Sequence, residues 1–333
     1  MNSKKEKTSL NKWKQITRNS IDYFEEDLLS FSVFSTVILL IVIFGYLNVA
    51  EPNTSLKEKG DVLTIIQPFY GTSIIGKSAV VKDVTTGNIL YAKNEDVPLP
   101  LASITKIMTA YVSSKLLDDT NSTNITEYAL MAEGEYAFEL GDSWPIKTLR
   151  DVTLLKSAND GARALSIEAG KYLTSSNEDS SKSSAFVDKM NQVSRELGLT
   201  NTNFKNPSGL DIGFDPSAVG SAKDIADMFE RVLLDDREIL EATTKKELRM
   251  VIEGDDYRYI NTNKIVGEIP NLIASKTGYT NTAGGNLAVV YDSGLNHPVI
   301  IVVLGSTRDG RFKDVIHLIN ATQLFFSQEG IIE

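Results

Sequence analysis

Ser103-Ile104-Thr105-Lys106, then Ser157-Ala158-Asn159, then Lys276-Thr277-Gly278 stand in this order along the chain. A serine hydroxyl is a weak nucleophile near neutral pH and needs a base to take its proton. If residues 103–106 open a helix, a lysine three positions on lies over the serine on the same face, within reach of its oxygen. Ser157 and Asn159 add a second hydroxyl and an amide, and Lys276 and Thr277 add a second cation and another hydroxyl. Each triplet alone recurs by chance. In order, they are the parts of a Ser-Lys acyl-transfer site, with Ser103 as nucleophile and Lys106 as base.

Composition narrows the alternatives. The 333 residues suffice for one large domain or two small ones, and the formal charge of −10 argues against nucleic acid as a partner. Cysteine is absent, which removes disulfides, thiolate catalysis and cysteine-zinc sites. The two histidines, His297 and His317, fall outside the triplets and read as a loop residue and a helix-surface residue. A Ser-His-Asp triad and a histidine-rich zinc site therefore drop out, and the chemistry calls for neither metal nor cofactor.

Residues 28–50, Leu28 to Ala50, carry no charged side chain. As a helix they would extend about 34 Å, enough to cross a hydrocarbon core of about 30 Å. Lys4, Lys5, Lys7, Lys12, Lys14 and Arg18 precede them, opposed by Glu6 alone in that stretch. Positive flanks stay cytoplasmic, so the amino end is expected inside and everything after Ala50 outside the cell membrane. A cleaved signal peptide would have a shorter apolar run and a small-x-small end, whereas this run ends Asn48-Val49-Ala50. The expected layout is a basic leader (1–27), a single-pass anchor (28–50), a stalk (51–76), a catalytic region (77–328) and a tail (329–333).

The elements that must position the triplets follow from local pattern. Ser78 to Val84 and Asn88 to Ala92 are β-rich around Thr85-Thr86-Gly87, a hairpin signal. Ile104 to Leu117 has helical periodicity, which puts Ser103 at a helix start, where free backbone N–H groups favour negative charge. From there to about residue 250 the pattern is mainly helical. Residues 173–184, rich in serine, read as a mobile loop before a helix over 185–197, and Ser221 to Leu234 as another helix. Asn206-Pro207-Ser208-Gly209 reads as a turn. β character returns over 272–276, 286–291 and 299–304, and an amphipathic helix follows over 314–326. The fold class is α+β: one antiparallel sheet from both ends of the catalytic region, with an all-helical block inserted between.

At these residues the chain resembles the low-molecular-mass penicillin-binding proteins, the serine D-alanyl-D-alanine carboxypeptidases of peptidase family S11. VVKDVTTGNILYAKN from Val80, LASITKIMTAYV at 101–112, LRDVTLLKSANDGARAL at 149–165, LGLTNTNFKNPSGLD at 197–211 and SKTGYTNTAGGNLAVV at 275–290 each look like a family block. The resemblance implies a β-lactamase/transpeptidase-like fold, peptidoglycan stem peptides as substrate and β-lactams as covalent inhibitors. It implies an oxyanion hole from the backbone N–H groups of Ser103 and Tyr279, and an arginine, Arg311, that helps bind a terminal carboxylate. Arg311 reads otherwise as a surface residue at a helix start. Ser157 is placed to relay a proton to the leaving amine, and Asn159 to meet Lys106 and a substrate amide. Lys276 and Thr277 offer charge and a hydroxyl to that carboxylate, Lys276 also lowers the pKa of Lys106, and Gly278 lets the strand approach the substrate. A β-lactamase is the nearest rival, but Ala158 stands where class A enzymes carry aspartate, and neither Glu168 nor Glu196 looks placed to activate water. A DD-endopeptidase shares the chemistry, and a catalytically silent wall-peptide binder would not need the nucleophile and base.

Overall fold

The computed structural model describes residues 68–328 and 330, apart from 135 and 253. The predicted leader and anchor, and the stalk up to residue 67, lie outside the described residues. No helix among the described residues is long and apolar enough to cross a membrane. The longer strands, in chain order, are β1 (Ser78–Asp83), β2 (Ile89–Lys93), β3 (Glu247–Ile252), β4 (Asp255–Ile260), β5 (Leu272–Thr280), β6 (Gly284–Asp292) and β7 (Pro298–Ser306). The main helices are α1 (Lys106–Leu116), α2 (Ile146–Lys156), α3 (Asn159–Gly170), α4 (Asp179–Glu196), α5 (Ala222–Asp236) and α6 (Gly310–Gln328).

Five of the strands form one antiparallel sheet in the order β5-β6-β7-β1-β2. Its first two strands come from the start of the catalytic region and its last three from the end, as expected. The β1–β2 hairpin closes where Asp83 turns back on itself: its carboxylate accepts from the Thr85 N–H at 2.8 Å and the Thr86 hydroxyl at 2.7 Å. Such Asx-type bonds satisfy turn amides that have no strand partner. His297, in the β6–β7 turn, brings Nε2 to 2.9 Å from the same carboxylate, and His317 is exposed on α6.

The strands β6 and β7 read as continuous apolar runs because both faces are covered. Alternation sorts their side chains. Val80, Ala288, Val290, Ile300 and Val302 join the core shared with α1 to α5. Val81, Val289, Ile301 and Val303 join a second core with Phe312, Val315 and Leu318 of α6. The sheet is thus a middle layer, and the site lies where its edge strand β5 meets the helical block.

Three expectations are corrected. The segment 179–184 is helical and opens α4, instead of belonging to a loop over 173–184. The inserted block is not all helical, because β3 and β4 form a hairpin over Glu247–Ile260 and two short strands pair at Ser122–Asn124 and Ser143–Pro145. Ser103 lies in a 3₁₀ turn, Ala102–Thr105, that precedes α1. A 3₁₀ turn stacks residues i and i+3 directly over one another, so it serves the Ser103–Lys106 spacing at least as well as an α-helix.

Candidate active site

Ser103 is held from three sides. The preceding Ala102 has φ 48°, a left-handed conformation that a non-glycine residue adopts at a cost, and it swings the chain sharply into the turn. The segment before it is tied to the sheet by Asn286 of β6, whose amide nitrogen donates to the carbonyls of Pro100 at 2.9 Å and Leu101 at 3.0 Å. Asn286 is fully buried, and its amide oxygen accepts from the Gly305 N–H at 2.8 Å. From the third side β5 presses in. A Cβ at Gly278 would stand 2.7 Å from the Leu101 carbonyl oxygen and 3.3 Å from the Ile104 nitrogen, so only glycine lets the strand come this close.

Lys106, at the start of α1, is completely buried. Its Nζ lies 2.9 Å from Ser103 Oγ, 2.7 Å from Asn159 Oδ1 and 2.7 Å from the Ser208 carbonyl oxygen. The last two atoms can only accept, whereas a serine hydroxyl can also donate. An ammonium satisfies all three partners. A neutral amine keeps two N–H bonds to the obligate acceptors and turns its lone pair to Ser103. The arrangement therefore suits both protonation states and directs the proton traffic to one oxygen. The amide orientation of Asn159 is fixed from behind, since its Nδ2 donates to the Glu133 carbonyl at 2.7 Å.

Ser157 ends α2 in the left-handed region, with φ 64° and ψ 34°. That turn directs its Oγ to the Lys276 ammonium, which donates to it at 2.8 Å and to the Thr277 carbonyl at 3.0 Å. Lys276 is 1% exposed. Burial pulls its pKa well below 10.5, and the charges of Lys106 and Arg311 push in the same direction. The Thr277 hydroxyl pairs with that of Thr262 at 2.7 Å. Arg311, in the first turn of α6, is buried, and its Nη1 donates to the Gly278 carbonyl at 2.6 Å. Burial, with help from Arg308, lowers its guanidinium to about 10. Tyr279 is partly exposed and lies under the Arg308 guanidinium, 5.2 Å from ring centroid to cation.

A cleft of about 420 Å³ opens over these groups. Ser103, Ser157, Asn159, Thr277, Tyr279 and Arg311 line it, while Lys106, Lys276 and Gly278 stand behind its wall. All nine residues singled out in the sequence thus converge on one place. Sequence reading did not single out Asn286, Thr262 or the Ser208 carbonyl. Ser208 sat inside a recognised turn, and Asn286 is a lone amide at the head of an apolar strand, a weak but readable signal. Thr262 had none. Among the described residues no cluster of histidine and acidic side chains could hold a metal.

The sequence profile described as D-alanyl-D-alanine carboxypeptidase, peptidase family S11, matches residues 64–308. D-alanyl-D-alanine carboxypeptidase DacF of Bacillus subtilis is 32% identical over 69% of this chain and 57% of its own length. A D-alanyl-D-alanine endopeptidase of Pseudomonas aeruginosa is 32% identical over 74% of this chain and 75% of its own. Among solved structures, penicillin-binding protein D2 of Listeria monocytogenes in its ampicillin-bound form superposes with a TM-score of 0.64 at 28% identity, covering 75% of this chain and 97% of that one. The chain spans little more than half the length of the Bacillus relative. With the profile covering most of its length and the Ser103–Lys106 pair set in the matching fold, this chain belongs to the S11 peptidases, the D-alanyl-D-alanine carboxypeptidase family.

Proposed function

We propose that the protein is a serine-type D-Ala-D-Ala carboxypeptidase that removes the terminal D-alanine of peptidoglycan stem peptides and is acylated by β-lactams. The reading is carried by the Lys106 amine, 2.9 Å from Ser103 Oγ and 2.7 Å from two oxygen atoms that can only accept. Ser103 attacks the carbonyl carbon of the penultimate residue and its proton passes to Lys106. The carbonyl oxygen takes the negative charge facing the N–H groups of Ser103 and Tyr279. The C–N bond then breaks, the departing amine receives a proton through Ser157, and an ester remains on Ser103 until water cleaves it. Lys276 and Thr277 receive the free carboxylate of the leaving residue, and Asn159 an amide of the acyl chain. The anchor at 28–50 holds this domain outside the cell membrane, with the amino end cytoplasmic.

Fast β-lactam hydrolysis is disfavoured. Glu168 accepts from the Thr123 hydroxyl and pairs with Lys171 at 2.6 Å, and Glu196 accepts from Gln192 at 2.7 Å, so both carboxylates are engaged away from the cleft. The deciding experiment incubates the purified full-length protein with a stem pentapeptide ending in D-Ala-D-Ala and follows it by mass spectrometry. Loss of one alanine is expected, together with a stable penicillin adduct that Ser103→Ala abolishes. An intact pentapeptide beside a cleaved cross-linked dimer would make it an endopeptidase, and failure of both with no adduct would leave a wall-peptide binder.

A further inference from the structure

Arg311 makes its shortest bond to the protein's own backbone. Its Nη1 donates to the Gly278 carbonyl oxygen at 2.6 Å, and its Nε is buried without a hydrogen-bond partner among the described residues. Arg311 is 6% exposed, so little of it reaches the cleft it helps to line. Its setting is unfavourable for a cation. It stands in the first turn of α6, where the helix dipole is positive, with Arg308 near; Asp309 and the Phe312 ring, 4.8 Å away, offset this in part, but no acidic side chain among the described residues forms an ion pair with it. A buried charge kept at such a cost calls for a use.

The use follows from peptide geometry. The Gly278–Tyr279 peptide bond is planar and trans, so its carbonyl oxygen and the Tyr279 N–H point in opposite directions. Whatever grips the oxygen aims the N–H. Gly278 itself lies against the Leu101 carbonyl and the Ile104 nitrogen, which flank Ser103 in its turn. The peptide is thus bonded to Arg311 while its glycine packs on the turn that carries the serine hydroxyl. We propose that Arg311 is a positioning residue, whose bond to the Gly278 carbonyl holds the Tyr279 N–H toward the oxygen that becomes negative during acylation. This rests on the reading of Ser103 as the nucleophile. It assigns Arg311 a duty on every substrate, including those with no carboxylate to recognise. The positive guanidinium at the carbonyl also polarises the peptide, which makes its N–H a stronger donor.

The test compares Arg311→Met and Arg311→Lys with the wild-type full-length protein on two stem peptides, one with a free terminal carboxylate and one amidated. Removing one oxyanion donor outright costs about 10²–10³ in kcat, so a misaimed donor should cost roughly ten- to a hundredfold. That loss is expected in kcat on both peptides for Arg311→Met, with KM little changed and Arg311→Lys recovering part of it. Affinity for a boronic acid that lacks a carboxylate, and that mimics the tetrahedral intermediate on Ser103, should fall in parallel. A loss confined to the free-carboxylate peptide and visible mainly in KM would overturn the proposal and make Arg311 a carboxylate reader. Unchanged kcat would also overturn it. Should Arg311→Met fail to fold, Arg311→Lys and the boronate carry the same comparison. Absence of penicillin acylation in the wild type would instead sink the underlying reading.

Discussion

Two lysines do different work from similar burial. Lys106 is surrounded by oxygen atoms that leave one direction open for proton exchange, toward Ser103. Lys276 faces a hydroxyl and a carbonyl, and its charge is opposed by the medium and by its cationic neighbours. In the unfolded chain its amine keeps the proton to about pH 10.5, while in the fold it gives it up at lower pH. Between those two values the unfolded state binds more protons, so folding gains free energy as pH rises across that window, and below it the cost of burying the ammonium is felt in full. Urea titrations of wild type and Lys276→Met should therefore show the stability of the wild type rising relative to the variant on the alkaline side, by at most about 1.4 kcal/mol per pH unit. A pH-independent difference would mean that Lys276 is not held below its ordinary value. In the same window the preference for a free carboxylate over an amidated terminus should fade, because the attracting charge is being lost.

At the scale of elements, the site depends on how closely β5 lies against the 3₁₀ turn before α1. Gly278→Ala inserts a methyl group against the Leu101 carbonyl and the Ile104 nitrogen, neither of which can move alone. We expect about 1–3 kcal/mol of destabilisation, the usual range for overpacking. A shift of the strand by a fraction of an ångström to one ångström should slow penicillin acylation by about 10²-fold. Thermal melting and timed mass spectrometry measure the two, and a normal acylation rate would show that strand and turn move together. What the sequence made legible here was local. The 103–106 spacing, the 85–87 turn and the 276–278 triplet announce themselves within a few residues. What stayed hidden depends on partners far along the chain. The serine-rich start of α4 looks like a loop because serine and aspartate compete with helical hydrogen bonds. In the fold, Ser183 is buried against Ser166 at 2.8 Å, and a Cβ at Gly170 would stand 2.3 Å from the Lys182 carbonyl oxygen, so the tight contact between α3 and α4 overrides the propensity. Asn286 and Thr262 likewise show their purpose only once Pro100, Leu101 and Thr277 arrive beside them.

At the scale of the whole molecule, the catalytic region closes on itself. β1 pairs with β7 along its full length, Ser78 opposite Leu304 and Asp83 opposite Val299, which joins the two ends of a chain segment of more than two hundred residues. Such pairing must wait for long loop closure. The charge-free stretch 28–50 adds one more expectation at this scale. The full-length protein should stay with the membrane pellet through an alkaline carbonate wash, and a version beginning at residue 51 should be released while still labelling with penicillin. Release of the full-length chain would remove the anchor from the proposal.

β5 also ends the sheet, and an exposed strand edge invites other copies of a protein to stack onto it and aggregate. Here the root of that edge is already occupied, since the Ser275 N–H donates to the Thr243 hydroxyl at 3.0 Å and the Ser275 hydroxyl to the Thr243 carbonyl at 3.2 Å. Only the few residues beyond it remain for a visitor. A docking ledge that short accepts the tail of a small peptide but gives fibril growth no foothold, so the opening that admits a guest need not endanger solubility.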